Sequence, residues 1–343
     1  VMMQRMITTD LRIFLAKSNI DLNLRRLISY IAITSKYISS KIHEANRKFA
    51  GTTNFSGEEQ LELDKAADEI FIQRMKHCPY VKEMASEEQD ETINVILPEQ
   101  GEEAVYSISV DPLDGSSLVD VNLAVGTIVG IHYGQFLGRT SMVAAMYILY
   151  GPLTTLVLTT GQGTHEFVLN PEGEFILGEE NIKMKEQGKI YAPGGLKEKW
   201  TKEHAQYIGE LEKEKYKLRY SGGLVPDFNQ ILLKKGGIFT YPALIDAPNG
   251  KLRLLFELQP MAFIIEQAGG FAINGKADIL DIIPNSLHQR CPVYFGSQYE
   301  IELAKKCLNE KEESINNKEK LREEELNNVE TKKEIYEVMI EEN

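Results

Sequence analysis

The residues from Val105 to Ser117 most constrain what this chain can become. Val-Tyr-Ser-Ile-Ser-Val alternates apolar and polar side chains and puts Tyr106, Ile108 and Val110 on one face, the period of a strand. Asp111-Pro112-Leu113-Asp114-Gly115-Ser116-Ser117 follows. Pro112 cannot donate to a sheet ladder and Gly115 admits an unusual backbone angle, so the strand is expected to stop at a tight turn. That turn carries two carboxylates three residues apart, then backbone N–H groups and two hydroxyls at Gly115, Ser116 and Ser117. Carboxylates hold hard cations such as Mg²⁺ and a nest of N–H groups holds phosphate oxygens, so one loop offers both halves of a metal-assisted phosphate site. Read alone, the stretch fits an acidic Asp/Gly/Ser turn, common at strand ends, equally well.

A chain of 343 residues can bury a large core and is expected to form two lobes. No apolar run approaches a membrane span and no N-terminal stretch reads as a signal peptide. The expected location is the cytoplasm, with a plastid as the alternative if a presequence preceded Val1. The formal net charge of −13 argues against nucleic-acid or anionic-membrane partners, so a phosphorylated substrate needs a local basic cluster and a metal. Cys78, Cys291 and Cys307 have no paired spacing, which argues against zinc or a redox pair and for a reducing compartment.

Leu24, Leu27, Ile28, Ile31 and Ile38 recur at helical spacing behind an Asp21 cap, with Arg25 and Arg26 on the outer, solvated face. A turn-rich loop from Thr52 to Gly57 leads to a second helix over Glu58–Met75, where Asp64 and Asp68 lie one turn apart; Asp68 reads as part of a solvated acidic face. A short strand over Val81–Met84 ends at Ala85-Ser86-Glu87-Glu88. After the central turn, Val125–Ile131, Ala144–Leu149, Thr154–Thr159 and Glu166–Leu169 read as an antiparallel meander packed on helices. The irregular span from Gly178 to Gly188 marks a lobe boundary, giving an N-terminal lobe over 1–188, a C-terminal lobe over 189–308 and a charged helical or disordered tail over 309–343. In the second lobe, Leu196–Tyr207 and Phe228–Lys235 are helix candidates and Gly237–Tyr241, Leu252–Leu258 and Val293–Phe295 strand candidates; Pro260 opens a helix that stops at Gly269-Gly270. The fold class is α/β of the α+β kind.

Glu58, Asp64, Glu87, Glu88, Asp111, Asp114 and Glu257 all fall at or near element ends. Converging carboxylates are not tolerated in an interior without cations to offset their repulsion. Lys251, Arg253 and Glu257 share a face if their segment is a strand, and Arg219 stands beside Tyr220, so a substrate with phosphates at both ends could span an acidic and a basic group. An ordinary exposed face explains Lys251 and Arg253 as well. There is no Gly-x-x-x-x-Gly-Lys-Ser/Thr loop, Gly161-Gln162-Gly163 lacks the third glycine of a dinucleotide fingerprint, and His165 and His288 read as structural histidines.

Taken together these motifs resemble the sugar-bisphosphatase family, over Ile20 to Lys305: Ser56-Gly57-Glu58 with Leu63-Asp64, Ser86-Glu87-Glu88, Asp111 to Ser117, Tyr220 to Gly223, Asn249 to Leu255 with Glu257, and Gly269-Gly270, in that order. Within the family, Arg219 to Asp227, Tyr191 to Gly194 and Gly163 to Phe167 look more like the sedoheptulose-1,7-bisphosphatase branch. Tyr241-Pro242-Ala243, Ile283-Pro284 and His288-Gln289-Arg290 look like the fructose-1,6-bisphosphatase branch.

The resemblance implies a layered αβαβα sandwich, a homodimer or homotetramer, and Mg²⁺-dependent removal of the 1-phosphate of a sugar bisphosphate, with Mn²⁺ the other candidate ion. The seven-carbon sugar is the expected substrate and the six-carbon sugar the alternative. The resemblance also implies that Glu87, Glu88, Asp111, Asp114, Glu257 and the Leu113 carbonyl hold metal, and that Asp64 and Glu87, helped by Glu58, orient and deprotonate water. Asp114, Gly115, Ser116, Ser117 and Arg253 would bind the reacting phosphate; Tyr220, Tyr241 and Lys251 would grip the distal one, with Arg219 reaching in from a neighbouring subunit. Gly194-Gly195 stands where the family usually has an Asn, and Val105 replaces a Lys of the animal AMP site. Against these stand a non-catalytic metabolite-binding scaffold and an inositol-phosphate phosphatase, the latter disfavoured by the second-lobe basic residues.

Overall fold

A computed structural model describes residues 9–48, 57–95 and 105–309, with the side chains of 45–48 and 57–61 excepted. Most of the loop expected over Thr52–Gly57, the side chain of Glu58 and the charged tail beyond residue 309 therefore lie outside the described residues.

Three helices come first. Asp10 accepts the N–H of Ile13 at 2.8 Å and opens α1 (Leu11–Lys17); Asp21 accepts those of Asn23 and Leu24 and opens α2 (Leu22–Lys48). Arg25 is not simply solvated, because its guanidinium takes up the carbonyls of Ala16, Ser18 and Ile20 where α1 ends. α3 (Gly57–Met75) completes this layer.

An eight-stranded sheet follows, built from β1 (Val81–Ser86), β2 (Ile93–Asn94), β3 (Tyr106–Asp114), β4 (Val125–Tyr133), β5 (Met142–Tyr150), β6 (Thr154–Thr159), β7 (Thr164–Leu169) and β8 (Phe175–Glu179). Its order is β2-β1-β3-β4-β5-β6-β7-β8, parallel only between β1 and β3, so the expected meander forms its larger part. The strand does not stop at Pro112. β3 runs on to Asp114 through a bulge, since Asp111 faces Ile128 while Asp114 faces Gly126. A bulge leaves one residue out of the ladder, which is where a proline without N–H fits. The Thr127 hydroxyl donates to the Pro112 carbonyl at 2.8 Å.

The second half alternates helix and strand: β9 (Ile190–Pro193), α4 (Lys202–Lys213), β10 (Lys217–Leu218), α5 (Leu224–Leu233), β11 (Ile238–Tyr241), α6 (Gln259–Gln267), β12 (Phe271–Ile273), β13 (Val293–Gly296) and α7 over 298–309. Its sheet has the order β10-β9-β11-β13-β12. α4 starts later than expected because Thr201 caps it and the residues before form only a turn over Lys197–Lys199. α5 starts earlier than expected; Pro226 lies in its first turn, where a missing N–H costs nothing.

Three apolar seams stack these layers. Leu27, Ile28 and Phe71 of the first helices meet Ile108, Val110 and Val129 on one face of the large sheet. On its other face Tyr147 and Val157 meet Val225 and Phe228 of α5 and Met261 and Ile265 of α6, which in turn cover Phe239 and Phe295 of the small sheet. The outer face of the small sheet packs Ile238 and Tyr294 against Tyr207 and Leu211 of α4 and Ala304 of α7. The result is the expected αβαβα sandwich. Phe228 joins its middle, edge-on to Tyr147 at 5.7 Å and to Phe295 at 5.3 Å. Burial of such a ring stabilises by roughly 1.5–3 kcal/mol.

The contact that seats α5 on the large sheet has no spare room. A Cβ on Gly126 would lie 2.6 Å from the Val225 Cβ, inside any real contact. Gly126→Ala should therefore lift α5 from β4 and lower unfolding stability by about 1–3 kcal/mol, measured by urea titration.

Candidate active site

The parallel pairing of β1 with β3 sets Ser86 beside Val110, and the Glu87 N–H continues the ladder by donating to the Val110 carbonyl at 3.0 Å. The next residues are Glu87 on one strand and Asp111 on the other, so the register itself brings two carboxylates together. A third arrives from the second half of the chain by a route that strand alternation does not describe. The segment expected as a strand over Leu252–Leu258 makes one isolated bridge, Arg253 to Arg290, and then a π-helical turn over Leu254–Leu258. The N–H of Leu258 and that of Glu257 both reach the Arg253 carbonyl, and the Glu257 carboxylate accepts the Arg253 N–H at 2.6 Å. Four apolar residues with one acid are too short a run for periodicity to separate strand from helix.

One carboxylate oxygen each from Glu87, Asp111 and Glu257 lies within 4.8 Å of the others. Asp111 and Glu257 are buried at 5% exposure. Burial, then the charge of Glu87, raises the pKa of both well above the carboxylate range. Asp114, also buried, rises to about 7 from burial, although its Oδ2 accepts the Val225 N–H at 2.8 Å, which works the other way. Glu88 rises to about 7 through burial and then the charges of Asp64 and Glu87. This donor set is all oxygen and its members repel one another, which fits a hard divalent cation and not a soft one. The residues present thus form a candidate divalent-cation site.

α3 brings Asp64 to the same place. Its Oδ2 accepts the Ser116 hydroxyl at 3.0 Å, and its buried Oδ1 has no hydrogen-bond partner. Burial raises its pKa to about 6, with Glu87 adding to the shift. Gly115 sits at φ +75, a left-handed turn that places Ser116 and Ser117 along the same cleft. Across the cleft, of about 320 Å³, stand Tyr220, Tyr241, Lys251 and Arg253. The Lys251 ammonium is 5.7 Å from the centre of the Tyr241 ring. The Arg253 Nε is buried without a hydrogen-bond partner, 3.8 Å from the Glu87 carboxylate. Leu113 also lines the cleft, whereas Arg219 is exposed outside it. The side chain of Glu58 is not described.

Asp68 corrects the sequence reading. It is 4% exposed, not part of a solvated face, and accepts the Ser86 hydroxyl and the Gln89 amide at 2.5 Å each. It pins the turn that carries Glu87 and Glu88. The signal was present: Asp64, Asp68, Phe71 and Met75 are spaced four, three and four residues apart, the stripe of a buried helix face. Two further residues stood in motifs of the resemblance but were given no role. Asp227 accepts the Ser221 N–H with both oxygens, at 2.9 and 3.0 Å, and so fixes the turn after Tyr220. Arg290 lines the cleft.

Two outcomes follow from this geometry. Asp68→Ala should raise the Mg²⁺ concentration for half-maximal activity about 10–100-fold, the usual effect of losing a group that orients metal ligands, with the far-ultraviolet circular dichroism unchanged; a Mg²⁺ titration checks it. The second concerns pH. Asp114 and Glu88 titrate near 7 when folded against ordinary values of 3.8 and 4.5, so their contribution to metal-free stability is full below those values and is lost as pH rises through 7. His132 and His204, held near 3 by burial, act in the opposite sense, adding stability above 6.5 that is lost as pH falls. The rise in melting temperature on adding Mg²⁺ isolates the acids, and it should be larger at about pH 8 than at about pH 6.

Comparison with known proteins places the chain in a family. The family description "Fructose-1-6-bisphosphatase, N-terminal domain" matches residues 6–180, and "Fructose-1-6-bisphosphatase, C-terminal domain" matches 184–309. The chain is 53% identical over 303 residues to fructose-1,6-bisphosphatase class 1 of Pelobacter propionicus, covering 88% of this chain and 93% of that one. It is 51% identical to the protein of the same name from Geobacter sulfurreducens, covering 86% and 94%. The crystal structure of Leishmania major fructose-1,6-bisphosphatase in holo form superimposes with a TM-score of 0.80 at 35% identity, covering 88% of this chain and 99% of that one. The leaning toward the sedoheptulose branch is not supported, since these relatives are named for the six-carbon substrate. Two of the motifs behind it serve the fold: Gly163 donates to Gln267 at the start of β7, and Tyr191 to Pro193 form β9. With both halves matched and relatives more than half identical over most of its length, the chain belongs to the fructose-1,6-bisphosphatase family of phosphoric monoester hydrolases.

Proposed function

We propose that this chain removes the 1-phosphate of fructose 1,6-bisphosphate with Mg²⁺ as the ion, Mn²⁺ being the other candidate. The observation that carries this reading is the meeting of Glu87, Asp111 and Glu257 within 4.8 Å, beside Asp64 and facing Lys251 and Arg253. Glu87, Asp111, Glu257 and Asp114, with Glu88 and the Leu113 carbonyl nearby, would hold the metal. When bound, a divalent cation supplies neutralisation of phosphoryl charge and acidifies water.

The chain's own residues do the rest. Asp64 is fixed through Oδ2 by Ser116 and keeps Oδ1 for a proton; its pKa of about 6 suits a base near neutrality. Glu87 lies beside it and orients the same water. Arg253 offers the buried Nε to the departing phosphate, alongside the Gly115–Ser117 turn. Lys251, Tyr241 and Tyr220 receive the distal phosphate on the other side of the cleft. Arg219, exposed between the exposed Leu218 and Tyr220, would serve the cleft of a second copy in a homodimer or homotetramer. Among the described residues no helix is long and apolar enough to cross a membrane.

Two measurements test the reading. Phosphate release from fructose 1,6-bisphosphate should exceed that from sedoheptulose 1,7-bisphosphate under equal Mg²⁺, and the reverse ratio would restore the seven-carbon substrate. Asp64→Asn should lower kcat by about 10²–10⁴-fold with KM little changed, as expected for removal of a general base; an unaltered kcat refutes that role.

A further inference from the structure

Arg290 lines the cleft beside Arg253 but has been given no role in the reaction so far. Residues 289–291 run antiparallel to 252–254: the Leu254 N–H donates to the Gln289 carbonyl at 2.8 Å and the Cys291 N–H to the Leu252 carbonyl at 3.0 Å. Arg290 is the bridge partner of Arg253, so their side chains leave the ribbon on one face, about 4.5–5.5 Å apart at Cβ. Like charges directly opposite each other destabilise a ribbon unless an anion lies between or above them. Arg253 has Glu87 at 3.8 Å, but among the described residues Arg290 has no carboxylate within ion-pairing distance, although both line a cleft rich in acids.

The ribbon is also held still. His288 meets the Gln89 carbonyl at 2.8 Å and packs on Phe256 at 5.4 Å, while Gln89 is itself fixed to Asp68. Gln289 accepts the Asn285 N–H at 2.8 Å and closes the turn that precedes Arg290. The pinned backbone fixes the base from which the exposed Arg290 side chain reaches the cleft, so binding an anion there orders that side chain alone.

We infer that Arg290 is a second guanidinium for the reacting phosphate, pairing with Arg253 to hold that group before cleavage and the inorganic phosphate after it. This rests on the reaction proposed above and adds to it a residue that grips the leaving end only. Two planar forks on one ribbon face match the oxygens of a single phosphate, whereas Lys251 and Tyr241 serve the distal one.

The test is binding, read by calorimetry on the Mg²⁺-loaded full chain. Arg290→Gln should weaken inorganic phosphate at least about tenfold, the scale of one lost charge-assisted contact, and leave fructose 6-phosphate within about twofold. Unchanged phosphate affinity, an equal loss for both ligands, or a loss confined to fructose 6-phosphate would each overturn the assignment. Phosphate release by the unaltered chain is measured alongside: if it is absent, the proposed reaction fails, whereas if it is present and Arg290→Gln still binds phosphate normally, only the role of Arg290 fails.

Discussion

Two buried carboxylates, Asp111 and Glu257, meet the half-buried Glu87, with Asp114 and Glu88 close behind, and their repulsion sets the terms for everything around them. Isolated charges of one sign in a low-dielectric interior are costly, and a protein that gathers them either protonates them or supplies a cation. Burial and the neighbouring charges push Asp111, Glu257, Asp114 and Glu88 toward the protonated form, so the folded chain stores an affinity for a divalent ion in its own electrostatics. That cost is tolerated because the surrounding framework is rigid. Asp111 rests on the ladder of β3, Glu257 closes on the Arg253 N–H, and Asp114 is tied to the start of α5.

The positions of the acids come from breaks in regular structure. Asp114 reaches α5 because the β3 bulge shifts its register by one against β4. Glu257 faces the cleft because a π-helical turn, not a strand, separates it from Arg253. Such irregularities recur at functional sites since they re-aim one side chain without disturbing the element that bears it. Both breaks lie beside tightly packed neighbours, Gly126 against Val225 on one side and Phe256 against His288 on the other, which leaves the local backbone few alternatives.

This explains which parts of the molecule were legible in the sequence. The meander, the Asp21 cap and the layered architecture follow from periodicity and from motif order, and the site acids were recognisable as types. Their meeting at Glu87 and Asp111 depends on a parallel register between strands twenty residues apart, which no local pattern records. Asp68 was misjudged because charge was weighed above helical spacing, although Phe71 and Met75 marked the buried stripe. Arg290 stood in a motif of the resemblance, yet nothing local marked it for the site. It matters only through its pairing with Arg253, and that contact is created by the fold. The seven-carbon leaning failed because segments such as β9 and the start of β7 carry packing, not substrate, and resemblance there says nothing about the sugar.

The same electrostatics link the cation to the substrate. In their ionised form Asp64, Glu87, Glu88, Asp111, Asp114 and Glu257 repel an anion from the acidic side of the cleft, and Lys251, Arg253 and Arg290 do not outnumber them. An ion that neutralises the carboxylates removes the repulsion and adds attraction, so cation and phosphate each raise the affinity for the other by the same factor. The arrangement makes an anion site conditional on metal. On the proposed reading it would also separate the two ends of a bisphosphate by chemistry: the end beside the acids would depend on the cation, while the end beside Lys251 and Tyr241 would meet a cation of the chain's own.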